Sequence, residues 1–315
     1  YPVVITGGDA SGVSVDQPNN LVTVTPSAYA SLDVGEQEVV ELSYAIVDDH
    51  GGTVAQTATL TFNGINDPPT PGSPISRTFS QNDSVSTVSL ITGATDPEND
   101  TLTIDQVSFQ PVNPIGFQIV NDDSVEVTPA AYVSLNAEEE IDIQINYVID
   151  DGAGNQTPQQ TATITITGAN DVATINGDDT GDVVEDTAVT NDLLTTSGQL
   201  VVSDVDTGQA IFNTSVTGAE GNLGMLFITE AGEWSYTVDN NDPSVQQLAA
   251  GSQLTDTFTV ESRDGTATKN IVITITGVND IAVISGSNVG AVTEDDSDSL
   301  NTSGNLTITD VDAGE

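Results

Sequence analysis

Thr161-Ala162-Thr163-Ile164-Thr165-Ile166-Thr167-Gly168-Ala169-Asn170-Asp171 alternates apolar and hydroxylated residues and then breaks off. Ala162, Ile164 and Ile166 fall on one face and the threonines on the other, which is the period of a half-buried β-strand. Gly-x-Asn-Asp ends the strand and sets an amide and a carboxylate at its tip. The same pattern stands at Thr57-Ala58-Thr59-Leu60-Thr61-Phe62-Asn63-Gly64-Ile65-Asn66-Asp67 and at Asn270-Ile271-Val272-Ile273-Thr274-Ile275-Thr276-Gly277-Val278-Asn279-Asp280. The linker asparagines are 104 and 109 positions apart, a domain-sized period. The stretch therefore reads as the last strand and exit linker of a repeated module.

Other segments keep the same period. Pro26-Ser27-Ala28-Tyr29-Ala30-Ser31-Leu32 returns 103 positions later as Pro129-Ala130-Ala131-Tyr132-Val133-Ser134-Leu135. A strand ending in acids recurs as Tyr44-Ala45-Ile46-Val47-Asp48-Asp49 and Tyr147-Val148-Ile149-Asp150-Asp151-Gly152, with Phe258 to Gly265 in the same place further on. Val184-Glu185-Asp186-Thr187 is echoed by Val292-Thr293-Glu294-Asp295. These repeats divide the 315 residues into a partial module at 1–67, modules at 68–171 and 172–280, and the start of another at 281–315. Both ends fall inside modules, which predicts a piece of a longer array. Many short strands between Gly, Asn and Asp turns predict an all-β chain of antiparallel β-sandwich modules. Leu248-Ala249-Ala250-Gly251 predicts one helical turn. Trp234 and Tyr236 alternate along a strand and read as core aromatics; ligand stacking on Trp234 is the sharper alternative.

The charge is extreme: 48 acidic residues against Arg77, Arg263 and Lys269, a net −45. Such a chain repels phosphate backbones and anionic lipid, which excludes nucleic-acid partners and membrane-surface roles. No apolar run is long enough to insert directly into a bilayer. Cysteine is absent, so there is neither a disulfide framework nor a thiolate metal site. One reading of the acidity is simple surface solvation. Its placement favours another. Asp96-Pro97-Glu98-Asn99-Asp100, Asp204-Val205-Asp206 and Asp310-Val311-Asp312 begin 29, 33 and 30 residues after the preceding linker Asp. Acids at a fixed address, with a linker Asn-Asp and a strand-end Asp-Gly, supply carboxylate, amide and carbonyl oxygens. A hard cation such as Ca²⁺ takes six to eight of these. With His50 as the one histidine and no cysteine, softer metals have no ligand set.

The order Val-x-Glu-Asp, Asp-Val-Asp-x-Gly, strand-Asp-Gly, then Thr-x-Thr-Ile-Thr-Gly-x-Asn-Asp resembles the tandem cadherin-like repeats of large bacterial surface adhesins. Residues 172–280, with Gly232-Glu233-Trp234-Ser235-Tyr236-Thr237-Val238 and Leu254-Thr255-Asp256-Thr257-Phe258-Thr259-Val260, resemble the VCBS repeat of RTX-type, type I-secreted adhesins. The resemblance implies Ig-like or cadherin-like sandwiches with Ca²⁺ at module junctions. Carried over by position, the first junction uses Asn66, Asp67, Asp96, Glu98, Asp100 and Asp151. The second uses Asn170, Asp171, Asp204, Asp206 and Asp264, and the third Asn279, Asp280, Asp310 and Asp312 joined by Glu185. Module two departs from the pattern, with Ser80-Gln81-Asn82-Asp83 where module three has Val-Glu-Asp-Thr. An acid near Glu36 or Glu138 would complete the first two junctions.

The function so implied is a calcium-rigidified stalk segment of a giant cell-surface adhesin, secreted, non-enzymatic, and supporting adhesion or biofilm. Its partners are calcium ions and neighbouring modules of the same chain. Two other readings stay open. One is a sugar- or peptide-binding module centred on residues 209–247. The other is a repeat that assembles with other copies of itself into a filament or matrix, using open strand edges. Enzyme chemistry is disfavoured because the acids recur in every module, whereas an active site would need one cleft.

Overall fold

In the computed structural model of the protein, residues 2–294 and 301–314 are described. Asp295, the last residue of the second Val-x-Glu-Asp echo, lies outside them. The chain divides into two units, Tyr1–Ala169 and Asn170–Glu315. The division falls inside the Gly168-Ala169-Asn170-Asp171 linker.

In the first unit, the repeated strand Gln160–Thr167 lies second in a four-stranded sheet, between Ser76–Ser80 and Glu140–Asp150, with Thr103–Gln110 at the far edge. Its alternation decides the packing. Ala162, Ile164 and Ile166 are fully buried, and their cross-strand partners Ile145, Ile143 and Ile141 extend the same apolar row. Each fully buried isoleucine is worth roughly 1.5–3 kcal/mol. A three-stranded sheet of Ser86–Ser89, Ser124–Val127 and Phe117–Val120 covers this row with Val88, Val125 and Val127. The segment at 1–63 repeats part of the plan: Val4–Gly7, Gln37–Val47 and Thr53–Asn63 form one sheet, and Val13–Asp16 pairs with Leu21–Val24.

The second unit has two four-stranded sheets. Thr174–Gly177, Leu193–Ser203, Glu233–Asp239 and Met225–Ile228 form one; Thr180–Val184, Thr268–Thr276, Gln253–Ser262 and Phe212–Gly218 form the other. Between them lie Trp234, Tyr236, Leu194, Leu200, Ile271, Ile273 and Ile275. Trp234 is 2% exposed and donates its indole N–H to the Asp178 carbonyl at 2.7 Å, so its ring is a core element and no stacking platform. Val283–Gly286 pairs with Leu306–Thr309 in the last segment.

Two features differ from the sequence expectation. The sandwiches are not wholly antiparallel: Ser76–Ser80 and Thr180–Val184 each run parallel to the last strand of their module. Each follows an entry linker and strand-like lead, and aligns at the sheet edge with the strand that will exit. The helical turn lies at Pro243–Gln246, ahead of Leu248, because Asp242 caps it through the Ser244 N–H and Pro243 stands at its start. The recurring Pro26–Tyr29 and Pro129–Tyr132 are 3₁₀ turns. Among the described residues no helix is long and apolar enough to cross a membrane.

Candidate metal centre

The glycine of each Gly-x-Asn-Asp exit is set by close packing. A Cβ on Gly168 would stand 2.1 Å from the Asn136 carbonyl oxygen, and one on Gly277 would stand 2.3 Å from that of Leu248. The chain therefore leaves its last strand pressed against a neighbouring loop, and the next two residues, Asn-Asp, emerge at a fixed place.

At the first exit, the Asn66 amide donates to Asp151 Oδ2 at 2.8 Å, and Asn155 donates to the Asn66 carbonyl at 2.8 Å. Asp151 is 3% exposed, and its Oδ1 accepts the N–H groups of Ala153, Gly154 and Asn155. Burial pushes this carboxyl up, but the Asn66 and backbone donors outweigh it and hold the group below the ordinary carboxylate value. Asp96 Oδ1 accepts the N–H groups of Glu98 and Asp100, folding the Asp-Pro-Glu-Asn-Asp loop onto itself. Burial pushes Glu98 up, partly offset by the nearby Glu98 and Asp67 N–H groups, with repulsion from Asp96 and Asp67 adding to the rise. Burial likewise raises Asp100, with repulsion from Asp33, Asp96 and Asp151. All six predicted residues of this junction are thus linked by hydrogen bonds or by mutual repulsion.

The other two exits share one geometry. The Asp171 N–H donates to Asp206 Oδ2 at 2.9 Å, and the Asp280 N–H donates to Asp312 Oδ2 at 2.9 Å. The Asp206 N–H turns back to Asp204 Oδ1 at 2.9 Å, and that of Asp312 to Asp310 Oδ1 at 3.1 Å. Asp206 and Asp312 are 2% and 3% exposed. Asn170 and Asn279 each donate to the carbonyl of the following Asp. Asn170 also donates to Asp264, which accepts from Ser262 and Thr266. Burial raises the Asp264 carboxyl, yet these donors bring it down to about 2.

Glu185 is fully buried and joins the last exit: its Oε2 accepts the Val278 N–H at 3.0 Å and its Oε1 accepts from Gln246 at 3.1 Å. Burial raises its carboxyl, with repulsion from Asp280, Asp186 and Asp312. Asp280 is raised in the same way, by burial and by Asp186, Asp312 and Asp310.

Five residues outside the predicted sets belong to these loops: Asp33, Asn155, Asp186, Asn240 and Gln246. Asp186 exchanges two hydrogen bonds with Asn240 and accepts from Gln246. Its position beside Glu185 in Val-Glu-Asp-Thr was the one sequence signal available; Asn240 and Gln246 come from a distant loop that carries none. Near Glu36, Asp33 lies close enough to Asp100 to repel it. At the matching place beside Gly168 stands Asn136, and the Glu138 side chain is exposed.

Among the described residues, no three His, Cys, Asp or Glu side chains close into a metal-holding group. The loops instead leave buried oxygens without a hydrogen-bond donor. Asn66 Oδ1, Asp96 Oδ2, both oxygens of Glu98, Asp100 Oδ2, Asp204 Oδ2, Asp206 Oδ1, Asp280 Oδ2 and Asp312 Oδ1 are all of this kind. An unsatisfied buried acceptor costs about 1–3 kcal/mol, and more when charged. Oxygen-only acceptors, mostly carboxylate, fit a hard divalent cation that would satisfy several at once.

A tandem of β-sandwich modules with acid-lined entry loops defines a class of repeat protein. Residues 65–167 match the model of the cadherin-like domain, and residues 170–277 that of the bacterial cadherin-like domain. Residues 65–167 and 170–277 are therefore cadherin-like; cadherin-like domains as a class are extracellular, generally bind calcium and typically serve adhesion without catalysis. No curated protein is significantly similar to it in sequence. Among solved structures, mouse protocadherin-24 EC1-3 is similar at 16% identity and a TM-score of 0.34, over 88% of this chain and 90% of that one. The human desmocollin-1 ectodomain is similar at 14% identity and 0.33, over 92% and 56%. The protocadherin GammaB4 extracellular domain is similar at 12% identity and 0.41, over 99% and 49%. The chain spans about half the length of the last two.

Proposed function

We propose that this chain is a calcium-stiffened structural segment of a large bacterial surface adhesin, of the RTX-type, VCBS-containing kind, exported and displayed outside the cell. The observation that carries this reading is the set of buried, donorless oxygens at the recurring acid addresses. Without a cation, Asp96, Glu98 and Asp100 at one exit, and Glu185, Asp280 and Asp312 at another, repel one another across loops that must stay close. Ca²⁺ replaces that repulsion with shared coordination by Asn66, Asp67, Asp96, Glu98, Asp100 and Asp151 at the first exit. Asn170, Asp171, Asp204, Asp206 and Asp264 serve the second, and Glu185, Asn279, Asp280, Asp310 and Asp312 the third. Extracellular calcium modules bind at roughly 10⁻⁴–10⁻³ M, so the ion is scarce in the cytoplasm and saturating outside. The segment would be pliant before export and stiff after it, holding an adhesive tip away from the cell.

Small-angle X-ray scattering of the chain in millimolar Ca²⁺ and in excess chelator, at fixed high NaCl, tests this. The expected result is a reversible change in maximum dimension and flexibility on calcium removal. Identical profiles would mean that the acids are surface solvation.

A further inference from the structure

We infer that the open edge strand Met225–Ile228 is a self-association surface, where two copies of this chain pair edge to edge and antiparallel about a two-fold axis through Phe227. The surface lies apart from the exit loops and needs no bound cation.

The strand is the last of its four-stranded sheet and pairs on one side only, with Glu233–Asp239. The Thr229 N–H donates to the Glu233 carbonyl at 2.9 Å, which sets the alternation of that pair. In an antiparallel ladder every second residue bonds to the neighbour, so Leu226 and Ile228 turn their N–H and C=O groups to the open side. Their side chains are buried, while Met225 and Phe227 stand on the outer face, 63% and 62% exposed. Phe227 is the one exposed aromatic ring among the described residues, and Met225 is the one methionine of the chain. Exposed apolar side chains beside free backbone groups form a template for a further strand.

Other edges of this domain are protected against such pairing. Phe212–Gly218 is broken by an irregularity between Asn213 and Thr217, Thr180–Val184 exposes Asp182, and Thr174–Gly177 runs into Asp178 and Asp179. In the domain at 65–167, the corresponding edge Phe117–Val120 exposes Gln118, opposite Glu126. Phe227 instead stands opposite Ser235, and Met225 opposite Thr237.

Charge and symmetry single out the occupant. Residues 221–229 have no charged side chain in a chain of net −45. A second copy brings the same acidic surface, and at this stretch the two meet without setting carboxylates face to face. Placing Leu226 against Ile228 of the second copy satisfies the free backbone groups of both. The same register sets Phe227 beside its own counterpart, at the close Cα spacing of about 4.5 Å, and Met225 beside Thr229. Glu230 falls opposite Gly224, so it meets no acid. The edge is also held in advance. Asp256, 1% exposed, accepts the Leu223 and Gly224 N–H groups at 3.0 Å and 2.7 Å and the Tyr236 hydroxyl at 2.7 Å. Little ordering entropy is then lost on pairing. A contact of this symmetry closes on itself, so it joins chains in pairs and does not grow a filament.

Sedimentation equilibrium of the full chain over a wide concentration range, in chelator and in millimolar Ca²⁺, at low and high NaCl, reads the pairing. The expected result is a monomer–dimer equilibrium with and without calcium, tightened by NaCl as it screens the net charge. Phe227→Asp would set two carboxylates across the axis and should weaken the dimer at least about tenfold. The side chain is exposed, so the melting temperature of that variant should stay at the unmutated value. Phe227→Cys tests the register. The chain has no cysteine of its own, so mild oxidation should cross-link this variant rapidly, with Gln118→Cys as the slow control. A chain that stays monomeric, a dimer that Phe227→Asp leaves unchanged, or equal cross-linking of the two cysteine variants would overturn the inference. So would a dimer seen in calcium alone, which would assign the contact to the exit loops. Failure of the scattering test for calcium stiffening would leave it standing, because pairing in chelator needs no cation.

Discussion

The domain at 65–167 and the domain at 170–277 use one backbone plan with different chemistry at matched places. Glu185 and Gln81 show this most directly. The N–H of Glu185 donates to the Thr276 carbonyl at 2.9 Å, and that of Gln81 to the Thr167 carbonyl at 2.9 Å. Both side chains are fully buried beside the exit strand. There Glu185 accepts the Val278 N–H, whereas Gln81 donates to the Ala169 carbonyl. The frame is constant, and one atom in the side chain decides between an anionic acceptor and a neutral donor. Address and charge are thus separable in this architecture.

The interiors differ too, and the largest expected effect tests whether the two cores are independent. Trp234 fills space left by Gly198 and Gly181, whose added Cβ atoms would stand 2.5 Å and 3.0 Å from the indole ring. No tryptophan stands in the domain at 65–167, where Tyr147 donates to the Leu90 carbonyl and Phe117 packs edge-on against Tyr132. Trp234→Ala should therefore cost about 3–5 kcal/mol in the second domain. Hydrogen exchange should show that loss at Ile271 and Ile273, with Ile164 and Ile166 unchanged. Equal loss in both domains would break the comparison.

Calcium removal comes next in size and should act on both domains. At a Kd of roughly 10⁻⁴–10⁻³ M, about 1 mM Ca²⁺ stabilises the folded state by about 0.4–1.4 kcal/mol per site, summed over the exits. Thermal melting in chelator against millimolar Ca²⁺ should show the difference, and the exit loops should lose exchange protection before the core strands do.

How much of this was legible beforehand follows from which signals are local. The alternation of Ile164 and Ile166 fixes the buried face of a strand because side-chain direction has period two. The acids at 96–100, 204–206 and 310–312 were readable through repetition, which no single Asp-x-Asp would provide. The parallel edge strands were not readable, since Ser76–Ser80 and Thr180–Val184 carry no mark of the direction of the strand they join. The helical turn was misplaced because residue preference at Leu248-Ala249-Ala250 competes with cap chemistry at Asp242-Pro243, and the cap decides. Asn240, Gln246 and Asn155 reach the exits only through tertiary folding, and polar loop residues of that kind look alike in sequence.

Exchanging the paired residues sharpens the comparison at smaller cost. Gln81→Glu would replace the amide donor facing the Ala169 carbonyl with a carboxylate at a fully buried position. In chelator this should destabilise the first domain by about 1–3 kcal/mol. Recovery of most of that loss in calcium is expected. An unchanged melting temperature in chelator would mean that the address tolerates charge without a cation, against the argument drawn from Glu185.

The smallest effect is the pH dependence, and Glu185→Gln isolates its cause. Burial and neighbouring acids raise the carboxyls of Glu98, Asp100, Glu185 and Asp280 in the folded chain. The folded state then binds more protons than the unfolded state between the ordinary and the raised values. Stability from these groups is fully present below about pH 4 and is lost as pH rises through the raised values. Asp264 works in the opposite sense. Its carboxyl is held at about 2, so its contribution is present above the ordinary value and lost as pH falls toward 2. In chelator, melting temperature should therefore peak near the ordinary carboxylate range and decline on both sides. Calcium should abolish the decline toward neutral pH, because a bound cation stabilises the ionised form. Glu185→Gln should flatten the same limb in the second domain even in chelator, by of order 1 kcal/mol or less. If the limb keeps its slope in that variant, repulsion at the last exit comes from Asp280, Asp310 and Asp312 among themselves, and the glutamate that distinguishes the two domains is a packing group rather than a charge.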